Sequence, residues 1–184
     1  MLIILSGCSG SGKNTIIKEL LKRNANLKFM KTCTTRKPRP NESDESYHFV
    51  SKNDFDKKLK NGEIYEYEEI HQNFYGTLNS SLDDIAEGKY NYIKDIGVLG
   101  EISLKRALKG RAKVISIFLT VPKEELIKRL IGRKEPDIDL RLSRMEFEMG
   151  YINNFDYVIK NTNLERTLNK IEKIIEEETI KELA

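Results

Sequence analysis

The apolar positions of the chain fall into two periods. Leu2-Ile3-Ile4-Leu5 is continuous, as in a strand buried on both faces. A glycine- and serine-rich stretch breaks the run, and Ile16, Ile17, Leu20 and Leu21 then recur at helical spacing. The alternation returns downstream. Asn91-Tyr92-Ile93 leads to Asp95, and Val114-Ile115-Ser116-Ile117-Phe118-Leu119 reads as a strand. Residues 124–132 read as a helix started by Pro122, and Asp156-Tyr157-Val158-Ile159 as another short strand. Leu164, Leu168, Ile171, Ile174 and Ile175 share one face of a final amphipathic helix. Strands alternating with helices predict an α/β fold: a parallel sheet with helices on both faces.

The middle of the chain breaks this pattern. From Thr32 to about Gly88 it carries turn residues, aromatics and alternating stretches. Tyr47-His48-Phe49-Val50 and Ile64-Tyr65-Glu66-Tyr67 read as strands of a small mixed sheet. This predicts a small mixed β/α insertion over 32–88, set into a core made of 1–31, 89–131 and 147–184. Gly132-Arg133-Lys134-Glu135-Pro136-Asp137 is a charged turn between two helices, and 132–146 is assigned to a short lid. The chain shows no internal repeat. Glu176-Glu177-Glu178 reads as a solvated helix face.

Composition narrows the class without naming a function. The 184 residues suit one domain, and 39% hydrophobic with 33% charged residues suits a globular fold. A net charge of +3 is too mild to single out a nucleic-acid polymer. Cys8 and Cys33 give no disulfide framework and read as reduced thiols. The first apolar run is too short for a signal peptide or a membrane span, so a cytoplasmic location without a membrane partner is expected.

The chemistry starts at Ser6-Gly7-Cys8-Ser9-Gly10-Ser11-Gly12-Lys13-Asn14-Thr15. Glycines let successive backbone N–H groups turn inward onto phosphate oxygens, the following helix N-terminus adds positive character, and Lys13 reaches the outer phosphates. The pattern G-x-x-x-x-G-K-[ST] is met at Gly7, Gly12 and Lys13, but Asn14 stands where a hydroxyl is usual and Thr15 comes one place late. Either Asn14 or Thr15 is the expected protein donor to Mg²⁺, with the phosphates and water supplying the rest.

A second anion site is suggested by Lys31-Thr32-Cys33-Thr34-Thr35-Arg36-Lys37-Pro38-Arg39-Pro40. Arg36 and Arg39 sit on a loop stiffened by prolines, and two guanidinium forks suit a dianionic monophosphate. Taken alone the stretch is equally a basic surface loop. Tyr47 and Tyr75 could add hydroxyls or simply pack in the small sheet.

With these stretches in order along nearly the whole chain, the sequence resembles the guanylate kinase family, the ATP-dependent GMP kinases. The words that carry the resemblance are GCSGSGKNT, TTRKPRPNE, YHFVS, GEIYEYEEI, FYGT, KDIGVLG, the arginines of RLIGRK and LRLSR, and FDYVIKN. The resemblance implies a P-loop kinase core, ATP with Mg²⁺ as phosphoryl donor, GMP or dGMP as acceptor, and a monomer or homodimer. It implies that Gly7, Ser9, Gly10, Ser11, Gly12, Lys13, Asn14 and Thr15 hold the ATP phosphates, with Asn161 near the adenine. Arg36, Arg39, Tyr47 and Tyr75 would hold the acceptor phosphate. Glu66 would meet the guanine edge, with Cys33 and Thr77 near the base. Asp95 would bind Mg²⁺ through water or position the acceptor, and Arg133 and Arg141 would contact the transferred phosphoryl group.

The chain departs from the family in four places. Asn14 alters the metal contact. Gly97 replaces the second aspartate of a usual D-I-D, which contributes to the guanine site. Lys94 places a charge where the strand should be apolar, either at the surface or as an added cation in the cleft. Only Lys134 to Asp137 separate Arg133 from Ile138, a shorter lid than usual. Two alternatives therefore accompany the GMP kinase reading: a nucleoside monophosphate kinase of altered base preference, and a non-catalytic nucleotide- or protein-binding module.

Overall fold

The computed structural model describes residues 1–38, 47–70, 72–132 and 138–183. Its centre is a five-stranded parallel sheet in the order β2-β7-β1-β8-β9. These strands are β1 (Leu2–Gly7), β2 (Leu27–Phe29), β7 (Asn91–Asp95), β8 (Val114–Thr120) and β9 (Tyr157–Lys160). Every residue of β1 is buried, so each of its faces needs a cover. One face carries Ile3 and Leu5, which pack with Ile16, Ile17 and Leu20 of α1 (Lys13–Arg23) and Leu168, Ile171 and Ile175 of α7 (Leu164–Leu183). The other carries Leu2 and Ile4, which pack with Leu82 and Ile85 of α3 (Asn79–Ala86) and Leu104 of α4 (Val98–Ala107). This is the α/β architecture read from the alternation of strands and helices.

The insertion forms a second sheet, β4-β3-β6-β5, from β3 (Thr32–Thr34), β4 (Tyr47–Phe49), β5 (Ile64–Ile70) and β6 (Asn73–Leu78). It is mixed: β3 runs parallel to β4, while β6 is antiparallel to both β3 and β5. One face is closed by α2 (Lys52–Lys60), whose Phe55 is buried with Cys33 and Ile64. Ser51 caps α2 by accepting from the Asp54 amide.

Two boundaries shift. The insertion drawn to residue 88 includes α3, yet Leu82 and Ile85 belong to the core layer beneath β1. The lid drawn to residue 146 ends inside α6 (Ile138–Met149), which follows α5 (Lys123–Gly132). Met145 of α6 packs on the cluster of Cys8, Val98, Phe118, Leu126 and Phe155, so α6 is anchored beside the glycine loop.

Candidate functional site

β1 lies between β7 and β8, so its C-terminal end is where connections leave to both sides and a crevice forms. The glycine loop fills that end. Gly7, Gly10 and Gly12 have φ of 142°, 85° and 96°. A Cβ on Gly7 would meet the Leu119 carbonyl at 2.5 Å, so the turn demands glycine there. The Ser11 amide donates to the Cys8 carbonyl at 3.0 Å, and the Ile16 amide to Gly12 at 3.1 Å, starting α1. The Ser11 hydroxyl is buried without a hydrogen-bond partner among the described residues, an orphaned polar atom inside the loop.

The cations converge here. Lys13 Nζ donates to the Gly7 carbonyl at 2.5 Å and to that of Cys8 at 3.3 Å. Burial lowers the Lys13 pKa, while the charges of Asp95 and Glu148 act in the opposite direction. Arg141 of α6 donates to Ser9 Oγ at 2.8 Å. Arg129 of α5 reaches the Gly10 carbonyl at 3.3 Å. Asn14 and Thr15 are both exposed on the first turn of α1. Asp95, half-buried, ends β7 opposite Leu5. Arg133 lies outside the described residues.

Asn161 is brought to the loop, but its side chain is already engaged there. Its amide nitrogen donates to the Ser11 carbonyl at 2.7 Å, and its oxygen accepts from Thr167 at 3.0 Å. The buried side chain braces the loop.

The residues expected to hold the acceptor gather on the face of the small sheet away from α2. Thr32 pairs in register with Tyr47, and Thr34 with Phe49. Thr34 pairs with Tyr75, which by antiparallel register sets Thr32 beside Thr77, and Thr77 pairs with Glu66. Partners in register point to the same face. Tyr47, Thr32, Thr77 and Glu66 thus form a row across all four strands. Arg36 stacks on Tyr47 and Phe49, with centroid distances of 5.1 and 5.5 Å, and the Tyr47 and Tyr75 rings meet edge to face at 6.2 Å. Arg39 lies outside the described residues.

Cys33 is the correction in this group. Successive strand residues alternate faces, and Cys33 is fully buried on the α2 side with Phe55 and Ile64. Its thiol is turned away from the row. The hydroxyl that occupies the expected place is Thr32, and the alternation of Thr32-Cys33-Thr34 was the signal for it.

Lys94 joins the two halves. It pairs with Ile4, is 4% exposed, and donates to the Met30 carbonyl at 3.1 Å and to Thr32 Oγ1. Of the two places open to it in the sequence, it takes the interior. Glu148 and Arg144 are further residues without a role in the sequence reading. Glu148 accepts from Arg144 at 3.3 Å, and its negative charge bears on the Cys8 thiol. Arg144 Nη2 lies 3.8 Å from the place a Cβ on Gly97 would take. Among the described residues no helix is long and apolar enough to cross a membrane.

The comparisons with known proteins point to one family. The guanylate kinase family model matches residues 1–178. A guanylate kinase of Thermotoga maritima is 37% identical, with 98% of this chain and 88% of that protein covered. One of Bacteroides thetaiotaomicron is 39% identical over 96% and 88%. The crystal structure of guanylate kinase from Anaplasma phagocytophilum superposes with a TM-score of 0.76 at 28% identity, covering 97% of this chain and 85% of that one. Shikimate kinase from Aquifex aeolicus, at 17% identity and TM-score 0.51, shares the fold alone. The family model and the relatives both cover nearly the whole length of the chain, and the chain belongs to the guanylate kinase family.

Proposed function

We propose that this protein transfers the γ-phosphoryl group of ATP to GMP or dGMP, giving ADP and GDP or dGDP. The observation that carries the reading is the row Tyr47, Thr32, Thr77 and Glu66, tied by Lys94 to the strand beside the phosphate loop. A carboxylate at the end of that row suits guanine, whose N1–H and N2–H are paired donors. Adenine lacks that pair and would leave the carboxylate unmatched.

An oxygen of the acceptor phosphate attacks the γ-phosphorus in line; the bond to the bridging oxygen breaks and ADP leaves with its electron pair. The enzyme supplies position and charge neutralisation, and no covalent nucleophile is needed. Lys13 exchanges its loop carbonyls for the outer phosphates of ATP. Gly7, Ser9, Gly10, Ser11 and Gly12 present the loop to those phosphates, and Asn161 holds the loop in shape. Arg36 and Arg39, with Tyr47 and Tyr75, hold the acceptor phosphate. Arg141 and Arg133 meet the transferred group. Glu66, Thr77 and Thr32 read the base, and Asp95 positions the acceptor. Closure of the insertion, read as 32–88, and of the lid, read as 132–146, excludes water before transfer.

Mg²⁺ fits as a companion of ATP. No group of three or more His, Cys, Asp or Glu suited to a metal occurs among the described residues, and the nearby donors are hard oxygens. Asn14 or Thr15 would hold it directly and Asp95 through water, and it would neutralise charge on the β- and γ-phosphates. The non-catalytic alternative is not favoured, because Lys13, Arg36, Tyr47, Tyr75 and Arg141 are all retained. The test is ADP release from ATP and Mg²⁺ with GMP, dGMP, AMP, UMP and CMP offered in turn. Turnover with GMP and dGMP but not with the other three is expected. ATP binding without turnover of any acceptor would overturn the reading.

A further inference from the structure

Arg144 stands one helical turn after Arg141 on α6, and the two guanidiniums reach different sides of the crevice. Arg141 is bonded to Ser9 of the phosphate loop. Arg144 Nη2 lies 3.8 Å from where a Cβ on Gly97 would be, just past the end of β7. Gly97 stands at the seam of the donor and acceptor halves. On one side, the Ile96 amide donates to the Leu5 carbonyl at 3.4 Å and the Ser6 hydroxyl donates to the Ile96 carbonyl. These bonds tie the turn to β1, the strand that opens into the phosphate loop. On the other side, Lys94 of β7 donates to Thr32 of the acceptor sheet.

Arg144 is held at this seam in two ways. Its Nε donates at 3.3 Å to Glu148, a carboxylate only 12% exposed. Met145 and Val98, the residues that follow Arg144 and Gly97, share the apolar cluster beside the glycine loop. A guanidinium has five N–H donors. Arg144 spends one, and among the described residues the other four have no hydrogen-bond partner. Those four make up both arms of the fork, the geometry that grips two phosphate oxygens at once. An ordinary i,i+4 surface pair adds little to stability and is indifferent to where the outer nitrogens go. Here they go over Gly97, where no side chain stands in the way.

We propose that Arg144 binds the phosphate of the acceptor nucleotide, in addition to the arginines of the acceptor loop. The proposal rests on the kinase reading above and adds a substrate-binding residue to it. For in-line transfer the acceptor phosphate must come between its own sheet and the glycine loop, which brings it over the end of β7 and Gly97. There it meets the outer nitrogens of Arg144, while Arg141 stays with the ATP side. The guanidinium gives up no proton. It offsets the charge of the acceptor phosphate as that phosphate approaches the γ-phosphoryl group, which repels it. Glu148 is a positioning residue: it holds Nε and leaves the fork turned to the crevice.

The experiment follows ADP release by the native protein, Arg144→Ala and Arg144→Lys, varying GMP at saturating ATP and then ATP at saturating GMP. Arg144→Ala is expected to lower kcat/KM for GMP about 10- to 100-fold, the worth of hydrogen bonds to a charged group. The KM for ATP stays close to native. Arg144→Lys keeps the charge without the fork and recovers part of the loss. Free guanidinium ion added to Arg144→Ala recovers activity, at a concentration that leaves the native protein unchanged. Native GMP kinetics in Arg144→Ala overturn the proposal. A fall that guanidinium does not restore, together with a lower Tm, overturns it too, since Arg144 would then only partner Glu148. A raised KM for ATP in place of GMP puts Arg144 on the donor side and also overturns it. Absence of turnover with GMP in the native protein would instead remove the kinase reading on which the proposal rests.

Discussion

The side-chain nitrogen of Asn161 stands 2.7 Å from the Ser11 carbonyl it donates to, and also 2.7 Å from where a Cβ on Gly12 would be. The glycine loop and the turn before α7 are thus built against each other. Asn161→Ala leaves the Ser11 carbonyl without this donor, a loss of about 1–3 kcal/mol for a buried group. The expected result is a lower Tm together with at least a tenfold fall in kcat/KM for ATP, and little change in KM for GMP. Melts and steady-state kinetics separate this from an adenine contact, which would weaken ATP binding without lowering Tm. Gly12→Ala should be worse, because it adds the clash to a φ of 96° that side chains rarely adopt.

Among the described residues Lys13 makes no salt bridge; its bonds are to the carbonyls of Gly7 and Cys8. Its charge is held in a half-buried place at a cost that Asp95 and Glu148 offset only in part. Such a group serves a ligand more than the fold. Lys13→Ala is expected to lower kcat by at least ~10³-fold while leaving the melting curve close to native. Asn14→Ser, which restores the usual hydroxyl at an exposed position, should leave turnover equal or raise it. A fully active Lys13→Ala protein would defeat the proposed role.

The long, strongly patterned elements were legible in the sequence, and so were the short strands β4 and β9, but β2 and β3 were not. β1, β8 and the α1 and α7 faces carry enough apolar positions to state their period. β2 and β3 have three residues each, too few to show one. Cys33 was assigned to the base by the resemblance alone; inside a recognised strand, the alternation would have turned it inward and Thr32 toward the row. Lys94 could not be placed from sequence because its solvation depends on Met30 and Thr32, far away along the chain. Asn161 was found by its position, but its work on Ser11 and Thr167 is a tertiary relationship that no local pattern records.

Cys8 lies in the phosphate loop, yet it should be a slow nucleophile. Burial, and then the negative charge of Glu148, push its thiol up to about 11. At pH 8 the thiolate fraction is then about a hundredfold below that of a thiol at 9. Titration with an aromatic disulfide reagent should find Cys8 and the buried Cys33 protected in the native protein and two thiols reactive in denaturant. Glu148→Gln removes the charge that opposes the thiolate, so it should speed modification of Cys8 and leave Cys33 unchanged. Equal acceleration at both thiols would point to general loosening of the fold.

Lys94 gives stability an unusual dependence on pH. Its pKa falls from 10.5 to about 8 in the folded protein, chiefly through burial, with Asp95 and Glu66 working in the opposite direction. His48, the other titrating neighbour, has its own pKa lowered by burial and by nearby lysines including Lys94, so it is neutral throughout the alkaline range. Between about pH 8 and 10.5 the unfolded chain binds the proton that the folded chain has released, so stability rises with pH across that window. Below it, the folded protein carries the full cost of a buried cation. Cys8 works in the reverse direction, its protonated form favouring the fold up to pH 9 and losing that advantage toward 11. Comparing native protein with Lys94→Met cancels Cys8, which both contain. The native protein should gain about 3 kcal/mol on the variant between pH 7 and 10.5, whatever their difference at the start. Denaturant unfolding at the two pH values measures it. A difference that stays constant would mean that the Lys94 ammonium keeps its proton throughout.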